Sequence, residues 1–280
     1  MQKFALITNA YKDNQLQLTN KIVAYIQSKG GQAISLSAGF ENPEDYDAID
    51  LTLLEEDTDC IIVLGGDGTL IRSAVKVISY QIPIIGVNLG TLGYLCELEA
   101  DSVFKAIDQL MADEYYIEDR IMLEGVKMGK NASFGLNDIV IHRAGDLSIL
   151  RLKVYVNGEF LATFDCDGII VSTPTGSTGY NLSAGGPIVN PKAMMLVMTP
   201  INAHSLNARS IVFSSNDLIE IEMDSRRYQR DEEAYVSCDG DRVEKLHVGE
   251  RYVISRSPNV TQFCRLNRKS FLEILRKKMS

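Results

Sequence analysis

The N-terminal third of the chain alternates short apolar runs with amphipathic stretches. Residues 4–7, 33–36, 60–64 and 84–87 are apolar at nearly every position, the pattern of strands buried on both faces. Leu16, Ile22, Val23 and Ile26 fall at helical spacing within 15–29, and Gly30-Gly31 stops that helix. Residues 69–79 read as a second helix. Strands alternating with helices predict a parallel sheet covered on both sides. Ligands of such sheets sit beyond the carboxyl ends of the strands. Two glycine-containing strand ends meet that condition, 65–68 and Asn88-Leu89-Gly90.

Beyond Ala112 the period changes to two. Residues 151–156 place Leu152, Val154 and Val156 on one face, Asn157-Gly158 is a two-residue hairpin turn, and 159–164 returns. More strands are predicted at 169–172, 195–198, 218–223, 235–237 and 252–255. Phe271, Ile274 and Leu275 share one face of a terminal helix over 270–278. The expected architecture is an α/β domain with a parallel sheet over 1–110, a mostly β domain over 111–258, and a C-terminal segment, 259–280. The acidic stretch 41–59 reads as a solvated loop and helix, and the polar stretch 224–233 as an exposed hairpin tip.

Charge narrows the choice of partner. The 280 residues carry 28 Lys and Arg against 37 Asp and Glu, a net charge of −9, with no basic stripe, which argues against nucleic acid. An anionic ligand must then be met by local amides, a few basic side chains or a metal. The five cysteines are scattered without metal-ligand spacing and read as reduced core residues. No run approaches the ~20 apolar residues of a membrane span, and residues 1–9 lack a signal-peptide apolar region. A cytoplasmic protein without a membrane segment is expected.

The chemistry concentrates in three places. Gly65-Gly66-Asp67-Gly68-Thr69 follows the apolar run 60–64 and opens a helix. Glycines let a ligand approach the backbone, and amides at a helix N-terminus favour phosphate. Asp67 then stands where a carboxylate accepts the proton of a hydroxyl beside a polyphosphate. A tight turn in which Asp67 bonds its own backbone fits the same residues. No Gly-x-x-x-x-Gly-Lys-Ser/Thr loop and no Gly-x-Gly-x-x-Gly after a strand is present, so a P-loop kinase and a Rossmann dehydrogenase both recede.

The second place is Leu136-Asn137-Asp138-Ile139-Val140, two hydrogen-bonding side chains in an apolar strand. They suit an adenine edge or a ribose diol, or a strand-edge turn. The third is Asp165-Cys166-Asp167-Gly168 with the long segment 172–187, dense in Ser, Thr, Gly and Pro. Its hydroxyls suit sugars and phosphates and Tyr180 offers a stacking face; a flexible linker is the alternative. His204 and Arg209 lie in an Asn/Ser-rich connection, where the guanidinium fork of Arg209 is the better phosphate partner. Arg72 and Asn88, flanking the two glycine segments, complete the candidates.

Taken together, these residues resemble the NAD kinase family. Gly65-Gly66-Asp67-Gly68-Thr69 resembles its GGDG motif, and Gly86 through Leu95 its second glycine-rich segment. Asn137-Asp138 resembles its Asn-Glu pair, and Asp167-Gly168 with Thr175 through Pro187 its longest signature. The match runs in order over about residues 60–240. The resemblance implies phosphoryl transfer from ATP or polyphosphate, with Mg²⁺ on the donor, to the adenosine-ribose 2′-hydroxyl of NAD, giving NADP. It implies Asp67 as the base, and Gly65, Gly66, Gly68, Thr69 and Arg72 beside the donor phosphates. Asn88, Asn137 and Asp138 would serve the nucleotide. Asp165, Asp167, Ser177, Thr178, Gly179, Tyr180, Asn181, Ser183 and His204 would serve the rest of NAD. No metal is expected on direct side-chain ligands. The family fold is an α/β domain plus a β-sandwich, the C-terminal helix returns to the first domain, and members are homodimers or homotetramers.

Three positions depart from the family pattern. Asp138 stands where Glu is usual, Gly179 where Ala is usual, and Asp165 where Arg is frequent, which removes a positive charge near an anionic ligand. Two rival readings share parts of the pattern: a lipid or sugar kinase with the same glycine turn, and a non-catalytic dinucleotide sensor.

Overall fold

The structure is a computed structural model that describes residues 1–36, 49–90, 93–144, 149–205, 207–225, 232–266 and 271–279. Most of the stretch read as a hairpin tip, and residues 41–48 of the acidic stretch, lie outside the described residues. The chain divides into two compact units, 1–119 with 261–280, and 120–260.

In the first unit, β1 (Lys3–Thr8), α1 (Gln17–Ser28), β2 (Gln32–Ser35), β3 (Cys60–Gly65), α2 (Asp67–Lys76) and β4 (Ile84–Asn88) follow in turn. β5 (Leu98–Glu99) and α3 (Val103–Met111) come next. The strands are parallel in the order β4-β3-β1-β2. Every residue of β3 and β4 is buried, which is why these strands read as unbroken apolar runs rather than alternating ones. Ile22 and Ile26 of α1 and Ala106, Ile107 and Leu110 of α3 pack with Phe4, Leu6, Ile62 and Val87. α2 lies so close to β4 that a Cβ on Gly86 would stand 2.9 Å from Leu70. The helix expected over 69–79 begins earlier, at Asp67, and ends at Lys76 before a short turn, Ile78–Tyr80.

The second unit takes in most of β6 (Tyr116–Lys127), then β7 (Ser133–Gly135), β8 (Asp138–Arg143), β9 (Leu150–Val156), β10 (Glu159–Cys166) and β11 (Gly168–Ser172). After the short helix α4 (Tyr180–Ser183) come β12 (Met195–Ile201), β13 (Ile211–Ser214), β14 (Ile219–Asp224), β15 (Glu233–Cys238) and β16 (Asp241–His247). β17 (Arg251–Arg265) begins here and its last residues, with α5 (Phe271–Met279), belong to the first unit. Two antiparallel layers result, β10-β9-β14-β17 and β13-β12-β11-β8-β15-β16. Leu152, Val154, Ile219 and Ile221 of one layer and Ile139, Ile141, Ile169 and Val171 of the other share one core. The Asn157-Gly158 turn has φ of 51° and 81°, as a type I′ hairpin needs, and sets Glu159 opposite Val156.

The segment 172–187 is not the open loop expected from its composition. It folds into a single-turn helix, Gly176–Thr178, and then α4, and Ser172, Thr173, Thr175, Ser177 and Asn181 are all buried. All five cysteines are free and buried. Among the described residues no helix is long and apolar enough to cross a membrane.

Candidate active site

The glycine turn of the first unit closes β3 and starts α2. Gly66 is the N-cap in extended conformation (φ −149°), Asp67 is the first helical residue, and the first helical hydrogen bond runs from the Leu70 N–H to the Gly66 carbonyl. The amides of residues 67–69 precede that bond and point out of the helix end. Gly65 is required by close approach: a Cβ there would stand 2.4 Å from Thr69 Oγ1. Arg72 folds back over the turn, its guanidinium 3.9 Å from where a Gly68 Cβ would be.

Asp67 does not bond its own turn. Its Oδ2 accepts the N–H of Tyr94 at 2.6 Å, and its Oδ1 accepts those of Leu95 and Cys96, both at 3.2 Å. The segment wraps so tightly that a Cβ on Gly93 would lie 2.1 Å from the carboxylate. That is the physical need for the second glycine-rich segment, of which residues 91 and 92 lie outside the described residues. A carboxylate offers about four acceptor sites; three are filled by backbone N–H groups, and one on Oδ2 has no backbone partner. Asn88 belongs to the neighbouring strand end. Its side chain closes on the backbone of Gly90, donating to the carbonyl at 2.8 Å and accepting the N–H at 3.1 Å, so it braces the turn.

In the second unit a cavity of ≈ 660 Å³ lies on the outer face of the six-stranded layer. That volume falls within the range of about 300–1,000 Å³ typical of small-molecule sites. Asp138, Val140 and His142 line it from one face of β8, while Ile139 and Ile141 between them enter the core. Asn137, Asp167, Tyr180, Asn202, Ser237 and Asp239 contribute from other segments. Asp239 follows β15 in left-handed conformation (φ 49°) and turns its carboxylate back on β8. It accepts the backbone N–H groups of Leu136 (2.7 Å), Asn137 (2.7 Å) and Asp138 (3.1 Å), which fixes the start of β8.

Burial, with the nearby Asp239 charge, pushes the Asp138 carboxyl up to about 7. Burial also pushes Asp239 up to about 6, and its three backbone hydrogen bonds oppose that rise. Asp167 accepts from Asn202 Nδ2 at 3.0 Å and pairs with Arg143 at 3.6 Å. His142 Nε2 stands 3.0 Å from Ser237 Oγ, and burial holds its imidazole below the usual value.

Of the expected site residues here, Asn137, Asp138, Asp167 and Tyr180 meet in this cavity. Ser177 and Asn181 turn the other way. Ser177 Oγ donates to the Pro174 carbonyl (2.7 Å) and accepts the Val189 N–H (3.0 Å). Asn181 bonds the Ser177 and Pro187 carbonyls and accepts from Thr199 Oγ1. Both are fully buried, and these bonds brace the segment from within. Asp165 pairs with Arg151 at 3.1 Å, its direct neighbour across β9, and does not line the cavity. Ser183 and His204 are exposed and, with Thr178 and Gly179, lie outside the lining. Gly179 is nonetheless beside Asn137, whose Nδ2 would stand 3.8 Å from a Cβ there. His142, Arg143, Asn202, Ser237 and Asp239 line the cavity without having been marked by the sequence reading.

A parallel α/β unit with a glycine-bounded carboxylate at a strand end, joined to a β unit with a polar cavity, defines a phosphotransferase acting on an alcohol. Known proteins narrow it. The ATP-NAD kinase N-terminal domain matches residues 4–115 and the ATP-NAD kinase C-terminal domain residues 136–266. An NAD kinase of Agathobacter rectalis is 60% identical over 280 residues, covering 100% of this chain and 99% of its own. One from Lachnospira eligens is 41% identical with 100% of both chains covered. The fold is shared with the yeast NADH kinase complexed with NADH (TM-score 0.84, 22% identity, 99% of this chain and 87% of that one). It is shared also with an Archaeoglobus fulgidus NAD kinase in complex with ATP (TM-score 0.76, 23% identity, 98% of each chain). The chain belongs to the NAD kinase family, and its activity is phosphoryl transfer to NAD. The lipid-kinase, sugar-kinase and non-catalytic readings end there.

Proposed function

We propose that the second-unit cavity holds NAD and the glycine turn of the first unit receives the terminal phosphates of ATP. The observation that carries this is the convergence of Asn137, Asp138, Asp167 and Tyr180 on one cavity. Asn137 and Asp138 serve the adenosine half, hydroxyls and base edges being matched by an amide and a carboxyl. Asp167 and Tyr180 serve the nicotinamide half, whose oxidised ring carries a positive charge suited to a carboxylate. The remaining acceptor site on Asp67 takes the hydrogen of the 2′-hydroxyl, general-base help worth about 10²–10⁴-fold. The remaining catalysis is positioning and charge stabilisation.

Among the described residues no three His, Cys, Asp or Glu side chains converge on a metal position. This donor set suits Mg²⁺ carried in on the donor's phosphates, where it shields their charge. The protein's own part is the amides of residues 67–69 and the oriented Asp67 carboxylate.

NADP formation with ATP, and in parallel with polyphosphate, tests the donor. Asn137→Ala tests the cavity. Its side chain is half-buried beside Gly179 and its backbone is already held by Asp239, so NAD binding should weaken by ~1–3 kcal/mol while the fold stays intact. A large drop in melting temperature with unchanged NAD affinity would make Asn137 structural and sink the assignment.

A further inference from the structure

We infer that Lys12 is a second cationic contact, besides Arg72, for the terminal phosphates of the phosphoryl donor. The inference rests on the reading of the glycine turn as the donor's phosphate site. Lys12 lies on the loop after β1, and that loop is fixed at both ends. Beside it, buried Asp13 accepts the N–H groups of Leu18 (2.9 Å) and Thr19 (2.8 Å) and the Thr19 hydroxyl (2.7 Å), tying the loop to α1. Asn9 donates its N–H to the Leu64 carbonyl (2.8 Å) and its side-chain amide to Thr69 Oγ1 (3.4 Å), tying the loop to the glycine turn. The Lys12 N–H then closes on the Asn9 carbonyl at 2.9 Å.

From this base the side chain reaches over the turn. A Cβ on Gly66 would lie 3.0 Å from Lys12 Nζ, and a Cβ on Gly90 3.2 Å from it. Two glycines from different segments thus leave a slot, and the ammonium occupies its mouth beside the outward amides of residues 67–69. A side chain at either glycine would crowd the ammonium. Lys12 is exposed, and among the described residues it makes no ion pair. A cation that is held by its loop rather than by a carboxylate keeps its charge available to a ligand.

The chemistry needs such a charge. The chain carries a net −9, and beside Arg72 the helix N-terminus supplies only about half a positive charge. During transfer the acceptor oxygen bonds to the terminal phosphorus and the bond to the bridging oxygen breaks. The hydroxyl proton goes to the Asp67 carboxylate, and the nucleoside diphosphate leaves with the added negative charge. An ammonium over Gly66 neutralises that charge as a point partner for phosphate oxygens.

The test compares Lys12→Met and Lys12→Arg in the full chain. Lys12→Met should raise KM for ATP about tenfold or more and lower kcat, with the Kd for NAD within twofold and melting temperature unchanged. Lys12→Arg should recover most of the loss, because the charge returns. Magnesium tripolyphosphate, titrated while the Gly66 and Gly68 amide resonances are followed, separates two failures. No shift in the wild-type protein would remove the donor from the turn altogether. A shift with equal affinity in wild type and Lys12→Met would keep the donor there and overturn the role of Lys12.

Discussion

The glycine turn of the first unit and the cavity of the second each present a carboxylate, and the two are built on opposite principles. Asp67 is half-exposed and held by three backbone amides from a single neighbouring segment. Asp138 is buried, and its neighbour is a half-buried carboxylate, Asp239, which takes the amides instead. Donated amides favour and orient an anion. Burial beside a like charge disfavours one. The first arrangement suits a group that must meet a hydroxyl at a fixed angle. The second suits a group whose proton is negotiable, as for a partner of ribose hydroxyls or an adenine edge. Residue type alone does not separate these roles; the source of the surrounding N–H groups does.

The largest expected effect tests the first arrangement. Asp67→Asn preserves shape, but its new amide must face an N–H where an oxygen stood. Loss of the acceptor should lower kcat by about 10²-fold or more with NAD affinity within about threefold. Turnover within about threefold of wild type would show that the remaining site on Oδ2 does no proton chemistry, and the contrast with Asp138 would collapse.

Next in size is a pH effect confined to the second arrangement. Burial pushes the Asp138 carboxyl up to about 7 in the folded protein, against about 4 in an unfolded chain. Between those values the folded state binds the extra proton, so stability falls as pH rises from about 4 to about 7 and is level above. Asp138→Asn removes the titration while keeping the size. Urea unfolding at pH 5 and pH 8 should show the wild-type protein losing on the order of 2 kcal/mol more than the variant across that interval. Equal losses would mean that the Asp138 proton is not coupled to folding.

The two regions also differ in how far they are legible in sequence. The turn is legible because its parts are contiguous: an apolar run, glycines, one carboxylate, a helix. What cannot be read there is the long-range half, the three amides of residues 94–96 and the ammonium of Lys12, which no local pattern marks. In the cavity, Asn137 and Asp138 stand out as polar residues in an apolar strand. His142 is recoverable from them, since Asp138, Val140 and His142 share one face at period two. Asp239-Gly240 is a hairpin turn, with φ of 49° and 91°. Its grip on β8 comes from the β15–β8 register, which pairs Cys238 with Ile139 across the layer, and no local rule supplies that. Ser177 and Asn181 are hard to read for the opposite reason. A hydroxyl or amide that braces a buried turn has the same composition signal as one that holds a sugar. β6 escapes because Glu118, Asp119, Arg120 and Glu124 break its alternation, its first half being mostly exposed and its centre buried.

The smallest expected effect concerns Asp165, which the sequence places near the ligand and the structure places in a cross-strand ladder. Arg151 on β9 lies directly opposite Asp165 on one side and Asp224 of β14 on the other. Its ion pair with Asp165 is partly exposed, with side-chain exposures of 40% and 28%, so it contributes at most about 1 kcal/mol. Asp165→Arg sets two guanidinium groups against each other across the strands, a destabilising pairing. Asp224 remains to draw Arg151 away, though it already pairs with Lys153 at 3.1 Å. A loss of less than about 1 kcal/mol is therefore expected, shrinking at high salt. NAD affinity should not change at either of two salt concentrations, because Asp165 does not line the cavity. If instead the variant bound NAD several-fold more tightly at low salt with its stability untouched, Asp165 would belong to the binding site. The cavity would then extend along β10 toward a cation-accepting position that the present lining omits.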